Sequence, residues 1–149
     1  MYDKIILAAD GSDESIAAAQ EVNRLISHGL IKKVIVLNVV KPLIENVDIF
    51  EAEFMPTRSG EFAQIALSNG EVIVEELMDM VTGAVEKEKR VIFGDPSHII
   101  CEEALSENVD LIVMGSRGRN PVQGMLLGSV SARVLSFARC PVLIVKATQ

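Results

Sequence analysis

Residues 110–133 read D-L-I-V-M-G-S-R-G-R-N-P-V-Q-G-M-L-L-G-S-V-S-A-R, and the fold is decided there. The stretch opens with an apolar run of strand length, Leu111 to Met114. Gly115 and Gly118 bracket a tight turn, and Gly128 lies thirteen positions after Gly115. Helical spacing then begins with Val130, Val134, Leu135 and Ala138. The order is therefore strand, glycine-bearing loop, helix start. Such a unit suits an anion. Glycines take positive φ and let backbone approach a ligand closely. Successive N–H groups in such turns point into one concavity. The helix start adds unpaired N–H groups and the positive end of its dipole. Ser129 is the expected N-cap, and the hydroxyls of Ser129 and Ser131 are within reach of phosphate oxygens.

Charge is segregated in the same sense. The chain carries −7 overall. From Leu111 to Gln149 there is no Asp or Glu, while Arg117, Arg119, Arg133, Arg139 and Lys146 are positive. An acid-free segment around a glycine loop in an acidic protein favours a bound anion. A loop of this length between strand and helix is also more often functional than connecting. No G-x-x-x-x-G-K-[ST] pattern occurs, so the phosphate site is not a P-loop.

Gly115-x-x-Gly118, nine residues, then Gly128-Ser129 is similar to the G-2x-G-9x-G-(S/T) motif of ATP-binding universal stress proteins. The resemblance extends over nearly the whole chain, from Asp10 to the closing P-V-L-I-V-K, and implies a single universal stress protein domain over residues 1–149.

Composition agrees with one globular domain: 149 residues, 49% hydrophobic and 23% charged. The acidic balance argues against non-specific nucleic-acid binding, which needs a basic face. No apolar run approaches the ~20 residues that span a membrane, and the N-terminus M-Y-D-K-I-I-L-A-A-D does not read as a signal peptide. A cytoplasmic protein is expected. Cys101 and Cys140 are far apart without metal spacing and read as two free thiols, although sequence leaves a bridge open. His28 and His98 are isolated and read as surface residues.

Lys4 to Ala9 reads as a buried strand, followed by the turn Asp10-Gly11-Ser12-Asp13. A helix carrying Ile16, Ala19, Val22 and Ile26 then closes at Gly29. Val34 to Val40 is a second strand, ended by Pro42. In the stretch 41–58, Ile49, Phe50, Phe54 and Met55 are open to covering a ligand, meeting a partner or packing on the core. Ser59 to Lys89 reads as one long helix with an apolar stripe of Val74, Leu77, Met78, Val81 and Val85, weakened at Asn69-Gly70 and Gly83. Arg90 to Phe93 is a short third strand. Asp95-Pro96 starts a helix as N-cap and first residue, and Asn108 helps to end it. After the fourth strand and the glycine loop, the last helix spans about Val130 to Ala138, and Val142 to Val145 is the fifth strand.

Strands alternating with helices imply right-handed crossovers and a parallel α/β sheet. Five strands fit a doubly wound sheet of order 3-2-1-4-5 with helices on both faces, the adenine nucleotide alpha hydrolase-like arrangement that the resemblance also implies. Strands 1 and 4 are then neighbours where the winding reverses, and ligands bind outside the carboxyl ends of the strands at that point.

By resemblance, Asp10 lies beside the nucleoside; by its own chemistry it is equally an Asx-turn residue or helix cap. Val39 matches a strand-2 position whose backbone meets the adenine edge. Ala8, Ala9 and Met114 line an apolar base pocket or simply pack. Gly115, Arg117, Gly118, Gly128, Ser129, Val130 and Ser131 carry over as the ribose and phosphate shell, with Arg119 as further charge. The implied ligand is ATP, or ADP or AMP, with any Mg²⁺ or Mn²⁺ held through the phosphates. Asp13 and Asp95 read as capping residues rather than metal ligands. No nucleophile–base pair stands out, so ATP hydrolysis is expected to be slow at most. The family pairs its last strand between subunits, which implies a homodimer through Pro141 to Lys146. Two other readings stand beside this one. An ATP pyrophosphatase of the related fold would carry S-G-G-x-D-S after strand 1, whereas here that stretch is Asp10-Gly11-Ser12-Asp13-Glu14-Ser15. An interaction module without nucleotide would have no use for the intact glycine spacing.

Overall fold

The computed structural model describes residues 1–42, 56–118, 123, 124 and 126–147. Among them strands and helices alternate: β1 Tyr2–Ala8, α1 Asp13–Ser27, β2 Ile31–Val40, α2 Pro56–Met80, β3 Glu86–Phe93, α3 Pro96–Ser106, β4 Leu111–Gly115, α4 Ser129–Phe137 and β5 Val142–Val145. The strands form one parallel sheet in the order β3-β2-β1-β4-β5, as the alternation requires. Ile6 of β1 stands between Ile35 of β2 and Ile112 of β4.

The sheet is buried on both faces, which is why its central strands are continuous apolar runs. Side chains alternate between faces at the two-residue period of a strand. Ile5, Leu7, Val34, Val36, Leu111 and Val113 meet Ala18, Ala19 and Val22 of α1 and Val74 and Leu77 of α2. Ile6, Ile35, Leu37, Ile112 and Met114 meet Ile100 and Ala104 of α3 and Val134 of α4. A fully buried Val, Leu or Ile contributes about 1.5–3 kcal/mol, whereas an exposed ion pair contributes about 0–1 kcal/mol. The two aliphatic layers therefore hold the fold. Ion pairs fasten its margins: Arg90 of β3 meets Glu103 at 2.6 Å and Glu107 at 2.9 Å, and Lys4 of β1 meets Glu107 at 3.4 Å. The hydrogen bond from Arg90 holds the Glu107 carboxyl below its ordinary pKa.

Helix starts follow their local chemistry. Ser12 caps α1 by accepting from the Ser15 N–H at 3.1 Å. Asp95 caps α3 by accepting from the His98 N–H at 3.1 Å, with Pro96 in the first turn as its sequence predicts. Gly29 after α1 (φ +69°) and Asn108 after α3 (φ +52°) take the left-handed conformation that ends a helix. Cys101 and Cys140 are free, and burial raises the pKa of both thiols.

The long helix expected over Ser59–Lys89 is shorter at its end. It stops at Met80, and Glu86–Lys89 belong to β3. The reason is tertiary. Asn23 of α1 donates to the Met80 carbonyl at 2.7 Å and accepts from the Thr82 N–H at 2.9 Å. Gly83 then turns the chain at φ +111°, and β3 pairs with β2 from Lys33↔Glu86 to Val40↔Phe93. The alternating charges of E-K-E-K-R are the face of an edge strand, a device that discourages further pairing. Residues 43–55, which include most of the stretch left open above, lie outside the described residues, as does Arg119.

Gly70 is no weak point in α2. A Cβ there would lie 2.7 Å from Asn38 Oδ1 and 2.8 Å from Val91 Cγ1, so its absence lets α2 reach the sheet. Alanine ordinarily gains about 1 kcal/mol over glycine in a helix, but overpacking costs about 1–3 kcal/mol. Gly70→Ala is expected to lower stability by about 1–2 kcal/mol in urea unfolding. A variant more stable than wild type would mean that α2 does not sit this close.

Candidate functional site

β1 and β4 are neighbours, yet α1 leaves β1 toward one face of the sheet and α4 follows β4 on the other. The two connections diverge and leave a crevice. It is a cavity of about 560 Å³, within the roughly 300–1,000 Å³ of small-molecule sites. All twelve residues singled out above border it: Ala8, Ala9 and Asp10 after β1, Val39 on β2, Met114, Gly115, Arg117 and Gly118 after β4, and Gly128, Ser129, Val130 and Ser131 at the start of α4. Leu37, Pro96 and Ile100 extend the apolar wall, and Lys41 adds a cation.

The loop after β4 is fastened by one acceptor. The Ser116 carbonyl takes the Gly128 N–H and the Ser131 hydroxyl, both at 2.7 Å. This clamps the two ends of the loop together and overturns two expectations. Gly128, not Ser129, is the N-cap, because its N–H is committed to Ser116 while its carbonyl accepts from Ala132 at 3.0 Å. Ser129 is the first helical residue. The Ser131 hydroxyl spends its proton within the protein, on Ser116 and Gly128 carbonyls, so it has none to donate to a phosphate. What the helix offers is main chain. Its first N–H groups, at Ser129, Val130 and Ser131, have no intrahelical acceptor, and no side chain caps them.

The motif glycines act by their missing Cβ rather than by positive φ, which none of the three adopts. A Cβ on Gly115 would lie 2.5 Å from the Glu14 Cβ and 2.9 Å from its carbonyl carbon, so this glycine serves the packing of α1 on β4. One on Gly128 would lie 3.3 Å from the Arg117 Cα, against the other end of the loop. One on Gly118 would face Asp10 Oδ2 at 3.2 Å, across the crevice mouth.

Asp10 makes the Asx turn that its own chemistry suggests and leaves one carboxylate oxygen uncommitted to it. Its Oδ1 accepts from the Ser12 N–H at 2.9 Å and from the Ser12 hydroxyl, the Asx-turn arrangement. Its Oδ2 is directed toward Gly118 and borders the cavity. Ser12 passes this order on to α1 through its bond from Ser15.

Three neighbours of the site escaped the sequence. Asn38 is buried and donates to the Ala9 carbonyl at 2.7 Å, fixing the chain where β1 ends. Its signal was a lone amide in the strand V-I-V-L-N-V-V. Lys41 borders the cavity from the end of β2. Glu14, buried on the first turn of α1, pairs with Arg117 at 3.4 Å. Nothing local announces a contact between residues 103 positions apart. His28 and His98 are exposed, as expected, and no group of three or more His, Cys, Asp or Glu suited to a metal occurs among the described residues.

Residues 1–146 match the universal stress protein family. The chain belongs to that family. It is 33% identical over 148 residues to a universal stress protein of Thermus aquaticus, covering 98% of this chain and 100% of that one. A universal stress protein of Methanocaldococcus jannaschii is 32% identical over 98% of this chain and 83% of its own length. Among solved structures, the hypothetical protein MJ0577 superposes with a TM-score of 0.77 at 30% identity, covering 100% of this chain and 99% of that one. Two more distant members share the fold. A universal stress protein in complex with cAMP has a TM-score of 0.61 at 24% identity, over 99% and 98% of the two chains. An AMP-bound member from Arabidopsis thaliana has a TM-score of 0.61 at 20% identity, over 98% and 92%.

Asp95 caps the helix whose Pro96 and Ile100 wall the cavity. The Ser97 hydroxyl and the His98 N–H hold its carboxyl below the ordinary aspartate range. A depressed folded pKa stabilises the native state above the unfolded pKa, and that stability is lost as pH falls through the folded value. Asp95→Ala should therefore cost about 1 kcal/mol at neutral pH, and the gap to wild type should close on acidification below the ordinary carboxylate range. Thermal melts of both proteins across that range check it; a pH-independent gap would mean that the cap charge is idle.

Proposed function

We infer that this universal stress protein binds an adenine nucleotide in the crevice between β1 and β4 and uses occupancy as a signal in the stress response. One observation carries the reading. The uncapped first turn of α4 and two glycines without Cβ, Gly118 and Gly128, border the same cavity as the apolar ends of β1, β2 and β4. Amide donors at a helix start suit phosphate. Ala8, Val39, Met114 and Ile100 suit the faces of a purine, and the free oxygen of Asp10 suits a ribose hydroxyl. The related proteins that carry AMP and cAMP lend the reading support. ATP is the ligand favoured by the glycine spacing, with ADP and AMP as the same base and sugar. Mg²⁺ or Mn²⁺ would arrive with the phosphates, since hard cations of this kind keep waters and phosphate oxygens as ligands.

The residues at the cavity bind and position. Hydrolysis, where it occurs, would be slow, because phosphoryl transfer needs a positioned water or base in addition to amide donors. A cytoplasmic location accords with this role.

The test is direct. The purified protein should carry an adenine nucleotide detectable by mass spectrometry. In calorimetric titration, Gly118→Val should lose at least about tenfold in ATP affinity, because its Cβ would crowd Asp10 Oδ2 and the branch would stand over the amides. Equal affinities would remove the glycine loop from the account.

The same reading includes a homodimer through Pro141–Lys146. β5 is an edge strand of four aliphatic residues, all half-buried, whereas the opposite edge, β3, is lined with alternating charges. An apolar edge invites a partner and a charged one repels it. Sedimentation should give a dimer for wild type and a folded monomer for Ile144→Lys; a wild-type monomer at high concentration would rule the edge pairing out.

A further inference from the structure

Arg117 borders the cavity, but its charge is already spoken for. The guanidinium meets Glu14 at 3.4 Å, with side-chain exposures of 31% and 10%. Both partners are held in place. Gly128 packs against the Arg117 Cα, and Gly115 admits the Glu14 backbone and Cβ so closely that no side chain fits between. Glu14 also stands in the first turn of α1, where the helix dipole favours a negative charge. Among the described residues it is the carboxylate that pairs with Arg117. A phosphate bound beside Arg117 would meet a cation backed by a buried anion, not a free cation.

We propose that Glu14 sets how strongly the site discriminates nucleotides by phosphate number, by offsetting the charge of Arg117 behind the phosphate position. This rests on the nucleotide reading of the cavity. With the pair intact, phosphates are held by the amides of α4 and the loop, whose attraction is that of dipoles and depends weakly on ligand charge. Removing the carboxylate alone unmasks a full positive charge whose pull grows with each phosphate. The neutral amide of Gln is isosteric with Glu and leaves the packing against Gly115 intact. Unit charges within several ångströms of each other at the effective dielectric of a protein surface interact strongly enough, before salt screening, to shift affinity by about tenfold.

Affinities of adenosine, AMP, ADP and ATP are measured by calorimetry at one fixed salt concentration. The proteins are wild type, Glu14→Gln, Arg117→Gln and the double variant. Charge offset predicts that Glu14→Gln tightens ATP by about tenfold and AMP by less, with adenosine unchanged. Arg117→Gln, which leaves the buried carboxylate unpaired, should weaken ATP by a similar factor, again sparing adenosine. Adding Glu14→Gln to Arg117→Gln should recover most of that loss. Two results overturn the proposal while leaving nucleotide binding in place. One is an ATP-to-adenosine ratio in Glu14→Gln equal to that of wild type. The other is a loss in Glu14→Gln that matches Arg117→Gln and is not recovered in the double variant, which would make Glu14 a positioning residue. Should Glu14→Gln fail to fold, an Arg117→Gln variant with unaltered ATP affinity overturns it equally. Wild type that binds none of the four ligands would sink the nucleotide reading itself, and this proposal with it.

Discussion

Ile5, Ile6 and Leu7 of β1 lie beside Leu111, Ile112 and Val113 of β4 in parallel register, and all six are buried. Burial on both faces leaves their backbone groups no water, so the strands must satisfy each other. That requirement holds two segments a hundred residues apart within one hydrogen-bond spacing. Because α1 and α4 then depart toward opposite faces, the chain after β1 and the chain after β4 part above the sheet and touch only at its rim, where Glu14 meets Gly115 and Arg117. The crevice is thus a consequence of sheet order, and any ligand it takes lies at the carboxyl end of the strands.

Order inside the crevice comes from a few short-range bonds to main chain. The Ser116 carbonyl clamps the loop through Gly128 and Ser131, Asn38 holds the Ala9 carbonyl, and Ser12 holds Asp10. Donors fixed before a ligand arrives lose little entropy on binding it. A serine that looks like a phosphate contact is in this way a structural tie. The same economy explains the glycines. Gly70, Gly115 and Gly128 are each required by a neighbour that would occupy the space of a Cβ, so three glycines serve packing of the scaffold while Gly118 guards the opening.

The charge distribution is similarly divided. The acid-free C-terminal quarter concentrates cations, but the fold returns a carboxylate from α1 to one of them. An electrostatic pattern read along the chain overstates the field at the site, because segregation in sequence is not segregation in space. At the sheet margins the two edges differ in kind, charged at β3 and aliphatic at β5.

By itself the sequence determined the alternation of elements, the parallel sheet and its order, and the helix cap at Asp95, whereas α1 is capped by Ser12 and Asp13, read as a cap, is its first helical residue. The handedness of crossovers also brought the ends of β1 and β4 to one crevice, while the individual residues around it came from the resemblance of the glycine loop to a known motif. That glycine spacing pointed to the family to which the chain belongs. Tertiary structure alone decided where α2 ends, since the charges of Glu86–Lys89 suit a solvated helix face and an edge strand equally well. Only the cap from Asn23 and the pairing with β2 choose between them. It alone decided that Gly128 rather than Ser129 caps α4, that the Ser131 hydroxyl is consumed internally, and that Arg117 has Glu14 for a partner. Each of these turns on a contact between atoms distant in the chain, and a one-dimensional pattern carries no record of which distant groups will compete for the same hydrogen bond or the same charge.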